Sequence, residues 1–177
     1  QVGQTRYSAL SIGGHRVKVK KLSREIDYSR HRMEYSRQPL AISERLMWSG
    51  EIAVARPRAY GVLAGPSPAE DYIADEGVLI YRSTRGLIII CGCGHRGLIN
   101  TLRHCQKVTG VQQIYAIIGG LHLRRAPPWR IRQIRQFLHQ QKVEKVMACH
   151  CTGSWGRWWL SADSAPATGD TLVLDQG

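Results

Sequence analysis

The chain has 177 residues, with 25 Lys and Arg against 13 acidic residues and a formal net charge of +12. That length suits one medium domain with its own core, and apolar runs such as Leu87 to Cys91, bounded by Gly86 and Gly92, fall far short of the roughly 20 residues a membrane-spanning helix needs. The charge favours a polyanion or a phosphorylated small molecule as partner without choosing between them.

Nothing near Gln1 reads as a basic segment followed by an apolar one, so no secretory leader is expected. Five cysteines, an odd number, then point to a reduced, cytoplasmic protein and not a disulfide scaffold. The basic residues form two short clusters, Arg16, Lys18, Lys20 and Lys21, and Arg124, Arg125, Arg130, Arg132 and Arg135. With no nucleic-acid motif beside them, both read as solvated faces.

Along the chain, Leu10, Ile12, Val17 and Val19 hint at short strands, and Pro57 and Pro66 punctuate a mixed polar stretch. From Val78 the pattern sharpens. Val78 to Tyr81 and Leu87 to Cys91 are two strands joined by a turn over Ser83 to Gly86, and the unbroken apolar second run predicts a core strand. Gly92 to Gly97 is a glycine-rich loop, after which Leu98, Ile99, Leu102 and Cys105 recur at helical spacing. Gln113 to Ile118 is strand-like and runs into Gly119-Gly120-Leu121-His122-Leu123. Pro127 and Pro128 open an amphipathic helix with Ile131, Ile134, Phe137 and Leu138 on its inner face. Val143 to Cys149 is a further strand, and Thr171 to Leu174 a last one, so the element order predicts a layered α/β domain.

His95, His122 and His150 each follow a predicted strand where it becomes a loop, and strand ends are where α/β folds gather functional groups. Imidazole and thiolate are both ligands for zinc or iron. Cys91 and Cys149 read as core residues, and Cys93 stands between core and site. Strand alternation would turn Cys149 and Cys151 one way and His150 the other, so a site using all three needs a bend. A structural zinc site from Cys91, Cys93, Cys149 and Cys151 fits poorly, because both spacings are C-x-C and not C-x₂₋₄-C. His15, His31, His104 and His139 are assigned to the surface.

Three strings in order resemble one branch of the metallo-β-lactamase superfamily, the dihydropterin-ribofuranosylaminobenzene-phosphate synthase-like proteins. They are Gly92-Cys93-Gly94-His95-Arg96-Gly97-Leu98-Ile99-Asn100, Gly119-Gly120-Leu121-His122-Leu123 and His150-Cys151-Thr152-Gly153, matching GCSHxGhxN, GGxHL and HCTG. Trp48-Ser49-Gly50-Glu51-Ile52 is similar to an upstream TGEI element. Gly94 stands where Ser is usual, Arg96 where a small residue is common, and Trp155, Trp158 and Trp159 after the third string are unusual.

The resemblance implies an α/β fold, the metallo-β-lactamase-like αββα sandwich, present over 1–177 as a single partial domain, its C-terminal half. The superfamily's H-x-H-x-D-H string, which supplies most ligands, occurs nowhere in these residues. It implies Cys93, His95 and His150 at metal positions, and His95 and His122 as pocket or catalytic groups. The cofactor expected is a divalent metal, zinc foremost, with iron or manganese as alternatives. The implied function is a metal-dependent hydrolase or transferase for a small anionic, phosphorylated or pterin-like substrate, inactive as this fragment. The alternative is a non-catalytic basic domain that binds RNA or another polyanion. No membrane partner is expected, and the oligomeric state is open.

Overall fold

The computed structural model describes residues 5–12, 15–22, 28–65 and 69–174, and among these residues the chain forms ten strands and three helices. The strands are β1 (Arg6–Ile12), β2 (His15–Lys21), β3 (Leu40–Ala41), β4 (Leu46–Trp48), β5 (Gly61–Leu63), β6 (Ala69–Asp71), β7 (Val78–Ser83), β8 (Gly86–Cys91), β9 (Ile114–Gly120) and β10 (Lys145–Cys149). Helix α1 (Leu98–Thr109) joins β8 to β9, α2 (Pro128–Gln140) joins β9 to β10, and α3 (Gly153–Leu160) follows a short 3₁₀ turn at His150–Thr152. Among these elements no helix is long and apolar enough to cross a membrane.

Two sheets result. The larger runs β10-β9-β8-β7-β4-β3, with β8, β9 and β10 parallel and the rest antiparallel. The reason is length: β7 and β8 are joined by the two-residue turn Thr84–Arg85, which only an antiparallel pair can use, whereas α1 and α2 provide the crossovers a parallel pair requires. The smaller sheet, β2-β1-β5-β6, is antiparallel throughout. It is tied to the loop before β7 by Arg6, whose guanidinium meets Asp75 at 2.6 Å and Asp71 at 3.5 Å.

The main core lies between the large sheet and its helices. Ile80, Leu87, Ile89, Ile114 and Ile117 from the sheet meet Leu102 of α1 and Ile131 of α2, all fully buried. The predicted strand at Leu87 to Cys91 is buried at every position except Ile90. The expected inner face of α2 is confirmed residue for residue: Ile131, Ile134, Phe137 and Leu138. Ser49, in the stretch similar to TGEI, knits β4 to β7: its N–H donates to Val78 O and its hydroxyl accepts from Val78 N–H, both at 2.9 Å.

Several expectations need correction. Thr171 to Leu174 is not a strand. The edge of β10 it would join is already taken by Asp163 and Ser164, whose backbones bond Val146 and Ala148, and Leu174 instead rests on the patch around Ile88, Tyr115 and Ala116. His104 is half-buried and not a surface group, with Nε2 2.9 Å from Ser49 O. His31 and His139 are exposed, while the side chains of His15 and Arg16 lie outside the described residues. Helix α3 was not expected, because two glycines in eight residues lower helical propensity and the helical spacing of its tryptophans spans a single turn. It forms by packing: Gly156 is buried so close to Leu123 that a Cβ would sit 2.8 Å from that side chain.

Candidate metal centre

Parallel strands end on the same side of a sheet, and here the ends also fall in one row. Cys91 of β8 is level with Gly119 of β9, and Gly120 is level with Cys149 of β10. The loops that leave these three strands therefore open next to one another, carrying Cys93 and His95, His122, and His150 and Cys151 respectively. The Gly119-Gly120 pair permits this approach: a Cβ on Gly119, at φ 116°, would lie 2.0 Å from Cys91 O. One on Gly120 would lie 2.5 Å from Gly92 O and 2.9 Å from Cys151 Sγ.

His122 and His150 both occupy the left-handed region, with φ of 50°. Non-glycine residues adopt it at a cost that the surrounding structure must hold, and such residues cluster at functional sites. At His150 it is the bend that strand alternation demanded. The chain turns into a single 3₁₀ turn, so Cys151 points back to the other loops. Thr152, fully buried, locks the turn by accepting the Leu121 N–H at 3.0 Å.

Among the described residues, the ligand atoms of Cys93, His122 and Cys151 lie within 4.8 Å of one another. The two sulfurs are 3.1 Å apart, and His150 Nδ1 is 3.7 Å from Cys93 Sγ. His122 donates its backbone N–H to Cys151 Sγ at 3.2 Å. As a thiol, Cys151 can donate to Cys93 O at 3.1 Å. As a thiolate it accepts the Cys93 S–H and the His122 N–H, and the bond from Cys93 is the chief reason its pKa is pushed down to about 4, against the opposing effect of burial. The same bond pushes the Cys93 thiol up.

His95 sits beside this group. Its ring is 4.5 Å from that of His122, centroid to centroid, and the edge-on ring of Tyr60 contacts both, at 4.7 and 5.0 Å. The Tyr60 hydroxyl donates to His95 O at 3.0 Å, and burial pushes its pKa up. Glu76 holds His95 from behind, with Oε1 2.9 Å from Nδ1, while Oε2 accepts the Arg96 N–H at 2.7 Å. Burial opposes the charge on Glu76, but the bonds from His95 and Arg96 outweigh it and hold the carboxyl below its ordinary pKa. Arg96 has a use here as well. Its buried guanidinium donates to Ile52 O at 2.8 Å and to Tyr72 O at 3.2 Å, clamping the loop to the segments around it.

Of the residues singled out in the sequence, Cys93 and His122 fall inside the three-ligand group, while His95 and His150 adjoin it. Cys151 completes the group and was not among the expected ligands. Cys91 and Cys105 are buried, with thiols that burial pushes up, for Cys105 to about 12, as inert core cysteines should be. The centre is open at the surface, and His122 and His150 are exposed. A groove of about 1140 Å³ lined by residues such as Tyr28, Met33, Tyr35 and Trp48 shares no residue with it.

The fold superposes with a TM-score of 0.70 on the crystal structure of a metal-dependent hydrolase of the β-lactamase superfamily, covering 92% of this chain and 63% of that one at 22% identity. The chain has the metallo-β-lactamase fold. No family model matches it. Within the fold it is similar to the 7,8-dihydropterin-6-methyl-4-(β-D-ribofuranosyl)-aminobenzene-5'-phosphate synthase of Methanocaldococcus jannaschii, at 37% identity over 83 residues, 47% of this chain and 28% of the synthase. An uncharacterized protein of the same organism is 26% identical over 128 residues, 68% of this chain and 45% of that protein. The chain thus spans less than half the length of these curated relatives. The expected α/β metallo-β-lactamase-like fold, and the similarity to the synthase, are both borne out.

Proposed function

We propose that this chain is the part of a metal-dependent hydrolase or transferase that closes the metal centre from one side, acting on a small anionic, phosphorylated or pterin-like substrate. The observation that carries the reading is the convergence of Cys93, His122 and Cys151 at three parallel strand ends. Two sulfurs and an imidazole are a soft donor set that suits zinc or iron better than manganese, and zinc fits best. When bound, such a metal supplies Lewis acidity and charge neutralisation at the substrate.

The residues of the chain do the rest. Cys151, Cys93 and His122 would hold the ion. His150 stands close enough to Cys93 to join them through Nδ1. His95, with Nδ1 turned to Glu76, presents its other nitrogen for proton transfer or ligation, and the carboxylate fixes its tautomer and direction. Arg130 beside Gly97 and Arg124, which donates to His150 O at 3.4 Å, place positive charge where an anionic substrate would enter. Three to four ligands on one side leave room for others. The 177 residues hold no H-x-H-x-D-H string, so the remaining ligands would come from outside this sequence, and the chain alone would be inactive.

Metal analysis of the purified protein tests this reading. Zinc should co-purify or bind on titration, raise the melting temperature by mass action, and be lost in Cys151→Ser and in His122→Ala. A Cys151→Ser variant with undiminished metal content overturns it.

A further inference from the structure

The candidate metal centre does not use the face of α2 that carries Arg132 and Arg135 or the tryptophans of α3, and that surface has an unusual composition. Trp155, Trp158 and Trp159 occupy one face of α3, with Trp155 and Trp158 stacked at 6.3 Å and 26°, and Trp159 edge-on to both at 5.7 and 5.5 Å. Trp158 is 73% exposed and Trp155 42%. Soluble proteins rarely leave such aromatic area in water without a use.

Trp159 links this cluster to a cleft of about 600 Å³ lined also by Arg132, Arg135, Gln136, His139 and Gln140, which recur on one face of α2. The lining is made of donors. Neither helix contains an acidic residue, and from Arg124 to Ala162 eight Lys and Arg face a single acidic residue, Glu144, which pairs with Arg85. The Trp159 Nε1 is buried with no acceptor among the described residues.

We infer that the α2–α3 face is a binding site for single-stranded nucleic acid, with the Arg132 and Arg135 guanidiniums on phosphates and the exposed indoles of Trp158 and Trp155 stacked on unpaired bases. Cations on one helix beside aromatic faces on the next suit a strand that offers phosphates on one side and unpaired bases on the other, and stacking tolerates any sequence. This explains why no sequence motif accompanies the cluster. A duplex hides its base faces and could use only the arginines. A phosphorylated small molecule would fill the cleft but leave the tryptophans unused. The site is independent of the metal centre, so removal of metal leaves it unchanged.

The test is fluorescence anisotropy of the protein with a labelled 12-nucleotide oligouridylate across a salt series, beside a duplex of the same length and phosphatidylserine vesicles. Trp158→Ala should weaken binding roughly ten-fold and Trp158→Phe should restore most of it. The double variant Arg132→Gln, Arg135→Gln should weaken binding and flatten the slope of log K against log salt by about 1.4, that is about 0.7 for each phosphate of a single strand that is no longer neutralised. The double variant Lys18→Gln, Lys20→Gln removes the same charge from β2 and should leave the slope nearly unchanged. Circular dichroism confirms that each variant is folded. The inference is overturned if the oligonucleotide does not bind, if the β2 variant loses as much as the α2 variant, if Trp158→Ala is without effect, if the duplex binds as tightly, or if only the vesicles bind.

Discussion

Glu76 carries a charge where burial disfavours one, and it does so because each of its oxygens has a donor: His95 Nδ1 at one, the Arg96 N–H at the other. Replacement by Gln puts an amide N–H against one of those donors and leaves it unpaired, at a cost of about 2 kcal/mol for bonds to a charged group. The dependence on pH has a definite sign. The carboxyl has a lower pKa folded than unfolded, so its contribution is complete above the unfolded value of about 4.3 and is lost as pH falls through the folded value. Urea unfolding at pH 7 should show Glu76→Gln destabilised by about 2 kcal/mol, and the gap should narrow below about pH 4. A gap of equal size at low pH would mean that shape, and not charge, accounts for the effect. The sequence offered no hint of this partnership, since residues 76 and 95 belong to different loops and nothing in periodicity pairs them.

At the level of elements, the parallel trio β8, β9 and β10 builds the centre, and its spacing depends on Gly119. An alanine there meets Cys91 O at 2.0 Å and a φ of 116°, so β8 and β9 must separate just where they deliver Cys93 and His122. Gly119→Ala should cost more than about 3 kcal/mol in denaturant unfolding and lower metal affinity with it. Full stability in that variant would show that the strand ends can shift without loss. The trio was legible because buried parallel strands are apolar runs and amphipathic helices keep a 3.6-residue period, which is how Leu87 to Cys91, α1 and α2 could be read from residues alone. Helix α3 was not: its three tryptophans keep helical spacing over a single turn only, two glycines interrupt it, and it exists by packing on Leu123. Cys151 was missed for a related reason. Alternation turns it away from His150 only while the strand continues, and the strand stops at Cys149, where His150 enters the left-handed region.

Across the whole molecule, burial is divided unequally between the two sheets. Among the residues whose side chains are described, the large sheet and its helices hold nearly all of the fully buried apolar ones, whereas the small sheet contributes chiefly Val62 and Leu63 of β5. Among the described residues strand β2 pairs with β1 alone, and its Val17 and Val19 are about half exposed, at 47% and 58%. Beside the backbone ladder, the described side chains add the exposed Ser8 Oγ bonds to Lys20 and the Lys18 ammonium over the Tyr7 ring. Such exposed bonds hold a strand weakly, because their net worth in water is about 1 kcal/mol each and ordering the chain costs as much. Local opening should therefore be far easier at the β1–β2 hairpin than in β8 and β9, where every opening exposes Leu87, Ile89 and Ile117. Native-state hydrogen exchange should find the hairpin amides exchanging at least about a hundred-fold faster than those of β8 and β9, a gap of about 2.8 kcal/mol in opening free energy at the usual factor of ten per 1.4 kcal/mol. Equal protection in the two sheets would mean that buried apolar packing, and not only exposed hydrogen bonds and the Arg6 ion pairs, holds the small sheet. The functional consequence is that the strand ends carrying Cys93, His122 and Cys151 belong to the slowest-opening unit, so the candidate centre keeps its geometry while the hairpin opens and closes.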